Sequence, residues 1–133
     1  AAIDWMREDK RTNGKAGAIG FCWGGAMVNR IAVAAGSALS AGVAFYGIAP
    51  PPTEAAAVKA AMLLHYAGND ERVNGQAGPW AEALKAAHVN VTRYDYPGAE
   101  HAFHNDTSAA RYNKEAAELA WTRSIAFLKE TLS

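Results

Sequence analysis

Three short apolar runs, at residues 16–21, 41–46 and 61–67, and a fourth stretch at 89–96 mixing β-branched and aromatic with polar residues punctuate this chain. Runs of that length, bounded by turn-forming residues, have the size of buried strands. The last adds Val89, Val91, Tyr94 and Tyr96, residue types that favour strands. Helical stretches alternate with them. One spans 1–11, with Ile3, Met6 and Trp5 on its inner side, and Thr12-Asn13-Gly14 ends it. A second spans 24–35 and stops at Gly36. A short one over 54–60 follows the stiff Pro50-Pro51-Pro52, and another covers 76–87. The longest, 108–132, carries Ala117, Trp121, Ser124, Ile125, Leu128 and Leu132 as one apolar stripe. Such alternation specifies an α/β class: about four parallel strands, right-handed crossovers and helices on both faces, in a single domain over 1–133.

With 133 residues, half of them hydrophobic, the chain can bury a core without staples. Thirteen basic and thirteen acidic side chains cancel, which argues against nucleic acid or an anionic membrane as partner. The uncharged stretch 31–53 is long enough to cross a bilayer, but its glycines, serines and three prolines fit a helix end, a turn and a strand better. One cysteine forbids an intrachain disulfide and fits a reducing compartment. With no basic-then-apolar layout near Ala1, the expected location is cytoplasmic.

In a parallel sheet, sites form outside the carboxyl ends of the strands. Three such ends carry a nucleophile, an acid and an imidazole: Cys22 after the first run, Asp70 after the third, His101 after the fourth. Cys22 lies in Gly20-Phe21-Cys22-Trp23-Gly24-Gly25, the G-x-C-x-G form of a nucleophile elbow, with glycine two residues either side of a tight turn. The turn lifts the sulfur clear and sets it at a helix N terminus, where partial positive charge favours an anion. The Trp23 amide is then aimed at an oxyanion. His101 is the candidate base, and Asp70 the acid that orients it, with Glu71 as a neighbouring rival. His104 and Asp106 lie close by, but His-x-x-His outside a helix is poor metal spacing. His65, inside an apolar run, reads as a core histidine, and His88 closes a helix.

Gly20-Phe21-Cys22-Trp23-Gly24-Gly25, Gly68-Asn69-Asp70 and Gly98-Ala99-Glu100-His101-Ala102-Phe103, taken together with their spacing, resemble the dienelactone hydrolase (carboxymethylenebutenolidase) family of α/β-hydrolases. The resemblance implies Cys22 as nucleophile, Asp70 as orienting acid and His101 as base. It also implies hydrolysis of a small ester or lactone through an acyl-thioester, with no metal or organic cofactor. Members of that family are nearly twice as long, so the chain resembles their C-terminal catalytic half. The absent half would carry the first strands and the second oxyanion amide. Without it, the 16–21 strand is a bare edge, expected to pair with the missing half or with another copy of the chain. The family's best-known members hold a substrate carboxylate with arginines, one shortly after the catalytic histidine, and here 102–106 contains none. Trp23, Tyr46 and Phe103 are the expected apolar pocket walls. A second reading is a non-catalytic or redox-responsive domain with a modifiable Cys22, weakened by the lack of a resolving cysteine. A nucleotide-binding reading lacks both the G-x-G-x-x-G spacing and a phosphate-loop lysine.

Overall fold

Residues 1–133 are described by a computed structural model. Helix α1 (Ala2–Glu8) leads into strand β1 (Gly17–Phe21), helix α2 (Trp23–Ala35) and strand β2 (Ala41–Phe45). Strand β3 (Ala61–Ala67), helix α3 (Glu71–Ala86), strand β4 (Val91–Tyr96) and helix α4 (Lys114–Leu132) complete it. The four strands form one sheet in the order β1-β2-β3-β4, every pair parallel.

Sequential order with crossovers of one hand puts successive connecting helices on the same face. Accordingly α2 and α3 share one core, with Val28, Ala32, Val73, Trp80 and Leu84 packed on Ala44, Met62 and Leu64. Helix α4 covers the other face, where Ala116, Ala117 and Ala120 pack with Val43, Phe45, Leu63 and Phe103. On the α4 side, Phe21, Phe45, His65 and Tyr94 occupy neighbouring register positions and form a row of rings across all four strands. The end of that row at β1 reaches the sheet's open edge, where Ile19 and Phe21 stay partly exposed.

The strands fall where the apolar runs place them; several helix limits do not. Helix α3 starts at Glu71 instead of 76, because the Asp70 side chain accepts the Val73 N–H and caps it. Gly75 disguises that first part, while Pro79 sits inside the helix, as it does within the expected 76–87. Helix α4 starts at Lys114 instead of 108, where the Asn113 side chain accepts the Ala116 N–H. The expected 54–60 helix is a 3₁₀ segment, Pro52–Ala57. Trp5 is exposed rather than turned inward, its indole meeting the Arg11 guanidinium at 5.9 Å. No helix is long and apolar enough to cross a membrane.

Candidate active site

The carboxyl ends of β1, β3 and β4 bring three side chains into one line. His101 Nε2 lies 3.0 Å from Cys22 Sγ, and His101 Nδ1 bonds a carboxylate oxygen of Asp70. Asp70 is buried, His101 partly so, and Cys22 is exposed. The other Asp70 oxygen takes the Val73 N–H, so one carboxylate both caps α3 and faces the imidazole. Backbone bonds continue the sheet into both loops. The Gly68 N–H donates to Tyr96 and the Asn69 N–H to Ala99. The Asn69 side-chain amide donates to Glu100 Oε1 at 2.8 Å, joining the acid loop to the imidazole loop. Glu71, the rival acid, is an exposed first-turn residue of α3.

Cys22 has φ 55°, a left-handed conformation that side chains rarely adopt, directly between β1 and α2. Its backbone N–H still pairs with the Phe45 carbonyl, so β1 holds its register up to the turn. A Cβ at Gly20 would stand 2.2 Å from the Gly24 carbonyl oxygen, and one at Gly25 would stand 2.5 Å from that of Phe45. The crowded glycines are thus Gly20 and Gly25. Gly24, expected to share the crowding, has open space at its Cβ position. Gly47 closes against Gly25 from the end of β2, where a Cβ would come within 2.3 Å of the Gly25 carbonyl carbon. The Trp23 N–H belongs to the first turn of α2, where helix geometry supplies no intrahelical acceptor. Positive φ recurs at Tyr46 (39°) and Ala102 (67°), so three of the four non-glycine residues with this strain ring the site.

A sulfur at a helix N terminus, an imidazole in bonding reach and a buried carboxylate behind it are the groups a thiol hydrolase needs, and they follow in the chain as Cys22, Asp70 and His101. The sequence model of the dienelactone hydrolase family matches residues 1–132. The chain belongs to this family. Carboxymethylenebutenolidase of Pseudomonas putida is 32% identical over 130 residues, covering 96% of this chain and 54% of its own length. Protein usf of Aquifex pyrophilus is 32% identical over 137 residues, covering all of this chain and 59% of its own length. The chain therefore spans about half the length of these curated relatives. Among solved structures, a dienelactone hydrolase-like promiscuous phosphotriesterase from metagenomic libraries superposes with TM-score 0.86 at 24% identity, over all of this chain and 59% of that one. Dienelactone hydrolase of Anabaena variabilis superposes with TM-score 0.73 at 24% identity, over 99% of this chain and 57% of that one. At that identity the two superpositions show the fold, an α/β-hydrolase sheet.

Beside Cys22 this family member opens a cleft of about 590 Å³. Of the expected walls, only Tyr46 lines it, its ring 5.1 Å from that of His101. Burial pushes the Tyr46 phenol up to about 12, so it stays neutral. Phe103 is fully buried in the α4-side core, packed on Phe45, Tyr46 and Tyr96, and does not reach the cleft. Trp23 is 74% exposed and does not line it. The walls that sequence reasoning missed are Phe21, His104 and Trp121. Trp121, expected on the apolar stripe of the last helix, is 43% exposed and lines the cleft.

His65 is a core histidine held by hydrogen bonds. Ser124 Oγ donates to the Ala120 carbonyl, which leaves its oxygen to accept from His65 Nε2 at 2.9 Å. The bare Nδ1 then accepts from the Tyr96 hydroxyl at 2.9 Å, and that hydroxyl accepts from Arg123. Burial, helped by the Arg123 charge, pushes the His65 imidazole down to about 3.

Proposed function

We propose that this chain carries the catalytic machinery of a hydrolase of small carboxylic esters or lactones. The single observation behind this reading is the relay from Cys22 Sγ through both His101 nitrogens to Asp70. The name of the Pseudomonas putida relative, a carboxymethylenebutenolidase, supports the same class of bond.

In the proposed cycle, His101 Nε2 takes the Cys22 proton as Sγ attacks the ester carbonyl carbon. The carbonyl π electrons move to oxygen, and the Trp23 N–H receives that oxyanion. Asp70, bonded at Nδ1, holds the imidazole in the tautomer with Nε2 free to accept and stabilises the imidazolium. Collapse re-forms the carbonyl and breaks the carbon–oxygen bond. His101 returns its proton to the departing alkoxide, leaving an acyl-thioester on Cys22. Water, deprotonated by His101, attacks the thioester; the second collapse releases the acid and restores the thiol. The nucleophile must stay reduced, which suits a cytoplasmic setting.

The proposal includes a further segment, corresponding to the rest of the relatives' length, that lies along β1 and donates a second oxyanion N–H. One such donor is worth about 2.7–4 kcal/mol of transition-state stabilisation, so the 133-residue chain assayed alone should be about 10²–10³-fold slower than a chain that contains it. The test is turnover of a chromogenic short-chain ester by both forms, with Cys22→Ala and His101→Ala. Each substitution should remove at least about 10³-fold of the rate. Turnover indifferent to both would remove the hydrolase reading. Peroxide-dependent labelling of Cys22 with no ester turnover in either form would favour the redox-responsive alternative.

A further inference from the structure

The cleft beside Cys22 has a composition that the acyl-transfer steps do not explain. Its size, about 590 Å³, is that of a small-molecule site. Phe21, Tyr46 and Trp121 give it aromatic walls. Between them stands the His104 ring, 5.0 Å from Phe21 and 5.6 Å from Trp121. Burial pushes the His104 imidazole below its ordinary range, against a smaller opposite pull from Asp106, so the ring is uncharged at neutral pH. Asp106 is the remaining charged side chain of the lining outside the Cys22 centre, and no lysine or arginine faces the cleft.

We propose that Asp106 and the aromatic walls make this cleft favour uncharged esters or lactones with a flat apolar group over those bearing a carboxylate. An entering carboxylate sheds water and meets the Asp106 charge, with no lysine or arginine in this chain's lining to receive it. A planar uncharged group lies against Phe21 and Trp121, which line the cleft. The inference rests on the hydrolase reading for the kind of bond that is split. The selection itself is a property of the cleft's field and shape, and can be read without any turnover.

The experiment alkylates Cys22 with iodoacetamide and with iodoacetate, reagents of nearly equal size that differ in charge. In both, the thiolate forms a sulfur–carbon bond and iodide leaves, so the ratio of the two rates cancels the ionisation of Cys22. The influence of His101 is common to every protein compared. From wild type to Asp106→Asn, the amide-to-acetate ratio should fall about twofold at low ionic strength, and further in Asp106→Lys. Asp106 is exposed, so both variants keep the fold. A ratio unchanged across all three proteins overturns the charge selection. N-phenyl iodoacetamide should outpace iodoacetamide several-fold in wild type and lose that advantage in Trp121→Ala; no advantage in wild type overturns the aromatic part. Ester turnover, measured separately, decides the hydrolase reading whichever way these ratios fall.

Discussion

Asp70 and His65 show how differently two buried polar side chains are used. Asp70 divides its oxygens between the α3 cap and His101. Asp70→Asn retains an oxygen for the cap but replaces the carboxylate behind the imidazole. It should therefore leave thermal stability within about 1 kcal/mol while lowering kcat by about 10³–10⁴-fold. Asp70→Ala should lose both, with a drop in melting temperature as well. His65 has every hydrogen bond satisfied only when neutral, and its imidazole is pushed down to about 3. An unfolded histidine takes up its proton near pH 6.5, so between that pH and about 3 the unfolded chain binds the extra proton. The contribution is complete above pH 6.5 and is lost as pH falls towards 3, with a slope of up to about 1.4 kcal/mol per pH unit. Denaturant titrations from pH 7 to pH 4 should show that slope in wild type and a shallower one in His65→Gln. Equal slopes would mean that His65 is not held neutral.

At the scale of elements, the elbow depends on close backbone approaches at Gly20, Gly25 and Gly47. Gly20→Ala must displace the Gly24 carbonyl, 2.2 Å from the new methyl, and should cost about 1–3 kcal/mol or more. Gly24→Ala meets nothing within 4 Å on a helical position and should be neutral or stabilising by up to about 1 kcal/mol. Chemical denaturation of the pair distinguishes this account from one in which both flanking glycines matter equally. The elbow, its strand and its helix were legible in the chain because parallel strands are apolar on both faces and need no partner to declare themselves. The starts of α3 and α4 were not. Asp70 and Asn113 fix them by capping, while Gly75 hides the first and polar turns before Asn113 imitate the second. The three positions that meet, Cys22, Asp70 and His101, were legible because each follows a strand. The cleft walls were not, since the rotation of α4 decides that Trp121 faces the cleft, and the fold of the His101 loop decides that Phe103 turns inward while His104 turns out.

For the molecule as a whole, β1 and β4 are the two open edges of the sheet, and β1 is the more apolar of them. Its backbone groups have no strand beyond them, Ile19 and Phe21 are 39% and 37% exposed, and Trp121 stands nearby at 43%. Edges of this kind recruit strands. Studied alone, the chain should self-associate with rising concentration, and Ile19→Lys should return it to a monomer in light scattering without lowering its melting temperature. A monodisperse unmodified chain at high concentration contradicts this. The account as a whole stands on Cys22 as the atom that takes the acyl group. Intact-protein mass spectrometry after rapid quenching from a slowly deacylating aryl ester, on the form that turns over, reads this directly. The account predicts one acyl group per chain, mapped to Cys22, appearing with the burst of released phenol and absent from Cys22→Ala. A burst with the acyl group on another residue, or steady turnover with Cys22 never modified, would contradict it.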